Sequence, residues 1–398
     1  MNIPEEFEYT LDKPQLNSRA KILEAAQKLF IKYGYSSVSL RNIAKEAGIS
    51  HAGVLRNFNN KDAILTTIIK NLDKAMYQYI DLNERSRSII RLAKRNATIP
   101  GYVEIFTSIA GQATSPTHPT HKFMTDRYKN LKSLMSDWYH SDIVAVSRIA
   151  IWDGIQLSSL MFDEIDVPTE LDRYLKLKDK NIFSPNTHEF SISNKQQKLN
   201  KNLYNARGTI VRESILKAAT TTFTKLGYFE ASMSKIANEA KISKSVLYHY
   251  FKNKKDLLLN VIAEHESLTT AIANANIKHN PDFSKNLKSF ITKWITQNKD
   301  SIALLVSLKA EASSPHHPVH EIFKTNYQQE FQQLANYFTT FLKANNDSLK
   351  LKANTLAIFL QALCEGMQIQ WLYDAKHTEI PEILVDFFTI LSLSDHQK

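Results

Sequence analysis

The chain has 398 residues, 43% hydrophobic and 23% charged, with a formal net charge of +10. That length allows two or three domains with sizeable cores, and the basic excess favours an anionic partner over an acidic or neutral one. A single cysteine excludes an intrachain disulfide framework, nine glycines are too few for most catalytic loop architectures, and no apolar run approaches the length of a membrane span.

Residues 1–16 read as an acidic leader without the apolar core of a signal peptide, from which a cytoplasmic location is expected. A helix follows over 18–33 with Ile22, Ala25, Ala26, Leu29 and Phe30 inward. Ser39 caps a second helix that Gly48 ends, and Ser50 caps a third through Phe58. Lys61 begins a helix that continues toward Tyr79, and further helices pass through Ile90, Phe106 and Ala110. Pro116 and Pro119 break the pattern before a helix holding Phe123, Tyr128, Leu131, Leu134 and Trp138. A helix over 144–162 contains Asp153-Gly154, and Pro168 opens a short one ending near Leu177. Residues 178–206, rich in Asn, Lys, Ser and Gln, read as a linker that spans on the order of 90 Å when extended.

The order then repeats. Ile215, Ala218, Ala219 and Phe223 form the stripe of a long helix stopped by Gly227. Ser232 caps the next helix, Lys241-Ile242 is a turn, and Ser243 caps a helix to Phe251. In that helix Val246, Leu247 and Phe251 are expected inward, and Lys244, Ser245, Tyr248 and His249 outward. Lys254 starts the connecting helix, and Trp294, Leu304 and Leu308 mark the middle ones. Pro315 and Pro318 precede a helix through Phe323, Tyr327, Phe331 and Tyr337. A helix over 349–373 carries Glu365-Gly366, and Pro381 opens the last. No strand series is evident, so the fold class is all-α.

A shift of 193 positions places Ile22, Leu23, Ala25, Ala26, Phe30, Gly34, Tyr35, Ser39, Ile43, Ala44, Ile49, Ser50, Phe58 and Lys61 on identical residues. The repeat extends further. The stretch from Ala113 to His121 echoes Ala312 to His320, and Asp153-Gly154-Ile155-Gln156 echoes Glu365-Gly366-Met367-Gln368. A whole unit is therefore duplicated. Charge concentrates in two windows: 17–62 has eight Lys/Arg against three acids, and 207–255 has ten against three. A lysine-rich solvated surface is the bland alternative, but the localisation favours nucleic acid.

The fragments Ile215-Leu216-x-Ala218-Ala219, Phe223-x-x-x-Gly227-Tyr228, Ile236-Ala237-x-x-Ala240, Ile242-Ser243-Lys244 and Leu247-Tyr248-His249-Tyr250-Phe251, with Lys254, resemble the DNA-binding domain of the tetracycline-repressor (TetR) family. The first copy departs from the commonest pattern, with Leu55 and Asn57 in place of an aromatic pair. The resemblance implies helix-turn-helix domains at 17–62 and 207–255, and helical regulatory and dimerisation domains at 63–177 and 256–398. It also implies a four-helix bundle from the last two long helices of each unit, here 144–162 with 168–177 and 349–375 with 380–393. Gly154 and Gly366 allow close approach there. Both copies in one chain suggest an intramolecular pseudo-dimer, with further self-association open.

The expected partners are a double-stranded DNA operator with unlike half-sites and a small-molecule effector; no cofactor, metal, membrane or enzymatic activity is expected. In the first head the expected DNA-binding residues are Ser39, Arg41, Ser50, His51, Ala52, Gly53, Arg56 and Lys61. In the second they are Ser232, Ser234, Lys235, Ser243, Lys244, Ser245, Val246, Tyr248, His249 and Lys254. Arg56 and Lys244 are the candidates for guanine, and Ser50, Ser243, Tyr248, Lys61 and Lys254 for phosphate. Gly53 costs about 1 kcal/mol in a helix relative to Ala, and close approach of backbone to DNA is one reason to keep it. Phe106, Tyr128, Trp138, Trp294, Tyr327 and Phe331 are candidates to line effector pockets, although aromatics at this spacing also serve as ordinary core. Two readings compete: a first copy used only as a scaffold, and a metal-dependent enzyme at His118-Pro-x-His121 and His317-Pro-x-His320. A capping or turn-setting role for those histidines fits better than a metal site.

Overall fold

The computed structural model describes residues 13–74, 79–81, 84–180, 206–275, 282–342 and 347–393. Among them the regular elements are helices, with no strand. The first half runs α1 (Lys13–Tyr33), α2 (Leu40–Ala47), α3 (His51–Asn57), α4 (Lys61–Lys74), α5 (Arg85–Thr98), α6 (Tyr102–Gln112), α7 (His121–Tyr139), α8 (Asp142–Ser159) and α9 (Val167–Lys180). The second runs α10 (Ala206–Glu230), α11 (Met233–Glu239), α12 (Lys244–Tyr250), α13 (Lys254–Ala263), α14 (Leu268–Ala275), α15 (Phe283–Gln297), α16 (Lys299–Ala312), α17 (His320–Phe341), α18 (Asp347–Tyr373) and α19 (Ile380–Leu393). Helix α1 starts earlier than its apolar stripe suggests; the expected continuation of α4 toward Tyr79 falls on residues 75–78, outside the described residues. Most of the expected leader and of the expected linker lies outside the described residues.

Each head is a three-helix unit held by an inward stripe. Ile22, Ala26, Phe30, Ile43, Val54 and Phe58 are buried in the first, and Ile215, Ala219, Phe223, Ile236, Leu247 and Phe251 in the second. Burying each Ile, Val, Leu or Phe of these stripes contributes roughly 1.5–3 kcal/mol. That gain holds helices such as α3 and α12, which are far too short to be stable alone.

The halves meet along α8 and α18. A Cβ built on Gly154 would lie 1.8 Å from the carbonyl oxygen of Ala362, and one on Gly366 would lie 1.8 Å from that of Ala150. In the shared Asp/Glu-Gly frame, Gly154 corresponds to Gly366 and Ala150 to Ala362. The contact is therefore reciprocal, as a two-fold relation between like surfaces requires. A second pair, α6 against α16, repeats the arrangement: Gly111 faces its own counterpart Ala310, with 2.3 Å between a built Cβ and the alanine methyl. Ala310 carries no sequence signal for this close packing. The Ser158 and Tyr327 hydroxyls (2.8 Å), and the Tyr373 hydroxyl donating to Ala110 O (2.8 Å), cross the same boundary.

Candidate nucleic-acid interface and ligand cavity

The heads are shaped by serine caps. Ser39 Oγ accepts from the Asn42 N–H at 3.2 Å while Asn42 Oδ1 accepts from the Ser39 N–H at 2.9 Å, a reciprocal capping box at the start of α2. Ser50 Oγ accepts from the Gly53 N–H (3.0 Å), Ser232 Oγ from that of Lys235 (3.2 Å) and Ser243 Oγ from that of Val246 (3.2 Å). The turn between the last two helices of each head needs a left-handed residue. Gly48 supplies it in the first head at φ 65°, but in the second the same position is Lys241 at φ 55°.

These caps leave an exposed face on each third helix. On α3 it carries His51, Ala52, Leu55 and Arg56, with Ser50 before them; Ser39 and Arg41 are exposed on the start of α2. On α12 it carries Lys244, Ser245, Val246, Tyr248 and His249, with Ser243 before them. Ser232 and Ser234 are half-buried, and the Lys235 ammonium donates to the Glu230 carbonyl at 2.9 Å. Leu55 and Tyr248 occupy equivalent positions, as do Arg56 and His249, so the two exposed faces differ in chemistry.

This geometry bears on four of the expected residues. Lys61 does not reach outward: its ammonium donates to the Tyr35 carbonyl at 2.9 Å and sits 4.1 Å over the Tyr35 ring, and burial lowers its pKa. Lys254 does the same at Tyr228 O (2.7 Å) and Ala231 O (2.9 Å), 4.2 Å over the Tyr228 ring. Both lysines tie the chain after the first helix of their head to the connecting helix. Both ammoniums are thereby engaged within the protein. Gly53 is buried, and a Cβ there would meet Ile49 Cγ2 at 2.6 Å; the counterpart pair in the second head, Val246 and Ile242, does without a glycine. Val246 points outward at 38% exposure, with Leu247 taking the buried place.

Each head is joined to its helical body differently. Glu311 on α16 accepts from the backbone N–H of Tyr228 at 2.6 Å, beside Gly227, whose φ of 68° breaks α10. Burial pushes the Glu311 carboxyl up to about 7. The counterpart Gln112 instead donates to Ser108 Oγ (2.6 Å) and faces Ser36 Oγ at 3.4 Å. The repeated histidines sit at the same corners. His121 Nδ1 pairs with Ala113 O at 2.7 Å and His320 Nδ1 with Ala312 O at 2.8 Å. His317 is buried and His118 half-buried, and desolvation lowers their pKa to about 3 and about 4 and keeps both neutral. These contacts close the Pro-containing turn. Among the described residues no group of three or more His, Cys, Asp or Glu is placed to hold a metal.

Of the six aromatic candidates, Phe106, Tyr128 and Trp138 converge on one cavity of about 70 Å³ between α5, α6, α7 and α8. Leu92, Met124, Leu131, Met135, Trp152 and Asp153 also line it. The Tyr128 hydroxyl donates to Asp153 Oδ2 at 2.9 Å, and burial pushes the Asp153 carboxyl up to about 7. Arg127 is nearby, but its Nε donates to Asp73 at 2.7 Å. Asp153 was noted in the sequence only as part of the repeat. Trp294, Tyr327 and Phe331 are buried core side chains that line neither this cavity nor the open cleft of the second half. At the equivalent place in the second half, Lys309 Nζ lies 2.6 Å from Glu365 Oε1 and 3.0 Å from Glu330 Oε2. A more open, polar cleft flanks that cluster, lined by His265, Thr270 and Gln333 among others.

Sequence comparison agrees with the two heads. The profile of bacterial regulatory proteins of the tetR family matches residues 22–68 and again 215–261. The chain is 39% identical over 59 residues to the HTH-type transcriptional regulator HbdR of Aromatoleum sp. (strain CIB), covering 14% of this chain and 26% of that protein. It is 26% identical over 102 residues to the fatty acid metabolism regulator protein of Bacillus subtilis (strain 168), covering 25% and 53%. To YuxN of the same organism, an uncharacterized HTH-type transcriptional regulator, it is 31% identical over 187 residues, covering 43% and 60%. The chain thus matches about half, or less, of the length of the first of these relatives. Each half carries a helix-turn-helix domain of the tetR family, in tandem.

Proposed function

We propose that this chain, with its tandem tetR-family heads, is a sequence-specific DNA-binding transcriptional regulator. In this reading the single chain acts as its own pseudo-dimer, and it represses until an effector enters its helical body. The observation that carries it is the reciprocal packing of Gly154 on Ala362 and Gly366 on Ala150. A like-to-like contact of this kind is what two identical subunits make across a two-fold axis. Here it lies within one chain, which keeps the second head at high effective concentration beside the first.

Helix-turn-helix pairs read major grooves about one turn, roughly 34–36 Å, apart. The face of His51, Ala52, Leu55 and Arg56 on α3 differs from that of Lys244, Ser245, Tyr248 and His249 on α12. The proposed operator accordingly has unlike half-sites. Ser50 and Ser243 place helix N-termini where phosphates are favoured, with Arg56 and Lys244 positioned for base edges.

The test is stoichiometry on DNA. Mass measurement of the complex should give one chain for each operator duplex, and two chains would defeat the pseudo-dimer. The cavity at Phe106, Tyr128 and Trp138 supports effector control, since ligand pockets are concave and mostly apolar with a few polar groups.

A further inference from the structure

We propose that the first-half cavity takes a single cationic, amine-bearing molecule with an apolar body, placing its ammonium on Asp153, whereas the second half supplies that ammonium itself from Lys309.

The argument comes from comparing equivalent places within the one chain. Asp153 and Glu365 are counterparts in the repeated acid-Gly frame. Glu365 is met by Lys309, whose Nζ lies 2.6 Å away. In the repeated frame that ends at Ala113 and Ala312, the position of Lys309 is Ala110 in the first half. Ala110 lines the cavity beside Asp153, so the volume that a lysine side chain fills in one half is open in the other. Among the described residues Asp153 joins no ion pair; its bond is to the Tyr128 hydroxyl at 2.9 Å. The other charges at the cavity cancel, because Arg127 is paired with Asp73 at 2.7 Å. An ionised Asp153 therefore leaves the site one negative charge in excess. A buried carboxylate without a partner is costly, and an ammonium with its hydrogen bonds relieves that cost.

The rest of the lining suits such a molecule. Phe106, Trp138 and Trp152 give the cavity an aromatic lining for the apolar body, and Met124 and Met135 adapt to its shape. The Tyr373 hydroxyl, from the second half, donates to the Ala110 carbonyl at 2.8 Å, so an occupant here also touches the contact between the halves.

This inference rests on the effector-controlled reading, and the experiment separates the two. Matched primary amines, alcohols and carboxylates on short n-alkyl and phenylalkyl bodies are titrated into the full chain without DNA, followed by calorimetry. The expected result is one site per chain and a preference for the amine over its matched alcohol of at least about tenfold, the size of one charge-assisted hydrogen bond. Asp153→Asn should remove the preference while the alcohols still bind. Ala110→Lys, which installs in the first half what the second half has, should abolish amine binding with the chain still folded by circular dichroism. Binding of carboxylates as well as or better than amines, or no amine binding in any series, overturns the inference. If amines bind at Asp153 and operator affinity does not change, the ligand class stands and effector control fails. If no amine binds while the chain still selects DNA, the regulator reading stands and this inference falls.

Discussion

Gly154 of the first half lies so close to Ala362 of the second that a Cβ on it would sit 1.8 Å from the alanine carbonyl oxygen. Backbone cannot yield as a flexible side chain does, so Gly154→Ala must push α8 away from α18. Overpacking of this kind costs about 1–3 kcal/mol, and the reciprocal Gly366→Ala should cost a similar amount. Urea unfolding of the two variants should show matching losses. Loss at only one of them would mean that the halves are not equivalently packed.

The sequence pattern offers Lys61 and Lys254 as phosphate contacts, and their geometry predicts something else. Each ammonium is held by backbone carbonyls and a tyrosine ring. Lys254→Ala leaves those carbonyls short of a donor and should destabilise the second head by about 1–3 kcal/mol. The salt dependence of DNA binding should keep its slope, because no phosphate contact is lost. A slope shallower by about one unit would restore the phosphate role.

Much of the fold was legible because the signals were local. Ser39, Ser50, Ser232 and Ser243 announce helix starts, and Gly34, Gly48 and Gly227 announce turns that need positive φ. The repeat then gave the two-unit plan without any tertiary knowledge. What the sequence did not carry was partner identity. Lys61 and Arg56 look alike as basic residues at a head, and only the fold aims one at Tyr35 and the other at solvent. The aromatics were likewise ambiguous. Phe106, Tyr128 and Trp138 reach a cavity, while Trp294, Tyr327 and Phe331 at similar spacing fill the core, because Lys309 and its two carboxylates occupy the corresponding place.

That buried cluster gives a further prediction. Burial opposes the charge on Lys309, but Glu330 and Glu365 hold its pKa above the ordinary value. Lys309→Ala strands two carboxylates and should cost about 3–5 kcal/mol at neutral pH. The triple change Lys309→Ala, Glu330→Leu, Glu365→Gln should recover much of that loss. No recovery in thermal unfolding would show that the cluster is not the cause.

Two buried carboxyls set a pH dependence. Burial pushes Asp153 and Glu311 up to about 7, the first facing Tyr128, Arg127 and Tyr373, the second facing the Tyr228 and Phe229 N–H groups, Lys254 and Glu230. Unfolded carboxyls titrate near about 4, so between about pH 4 and 7 the native state holds protons that the unfolded chain has lost. Their contribution to stability is therefore present at low pH and falls as pH rises through that window. His118 and His317 act in the opposite sense, because burial keeps them neutral and acid must charge them on unfolding. The comparison with variants isolates the acids. Asp153→Asn and Glu311→Gln should gain stability relative to wild type between pH 5 and 8, each by roughly 2–3 kcal/mol. A constant difference across that range would contradict the burial of either proton.

The exposed faces of α3 and α12 predict separable DNA effects. Arg56→Ala should cost about 1–3 kcal/mol and relax specificity in one half-site only, and Lys244→Ala should do the same in the other. Fluorescence anisotropy with operators scrambled in either half distinguishes these. An Arg56→Ala variant with unchanged affinity would make the first head a scaffold.

The most direct measurement is selection of random duplex DNA by the purified full chain at one stated salt concentration, followed by footprinting of the winners. A single chain with two non-identical heads should enrich two unlike half-sites about one helical turn, or a few base pairs more, apart. Enrichment of a palindrome would contradict it, since that outcome requires two chains paired through one dominant head.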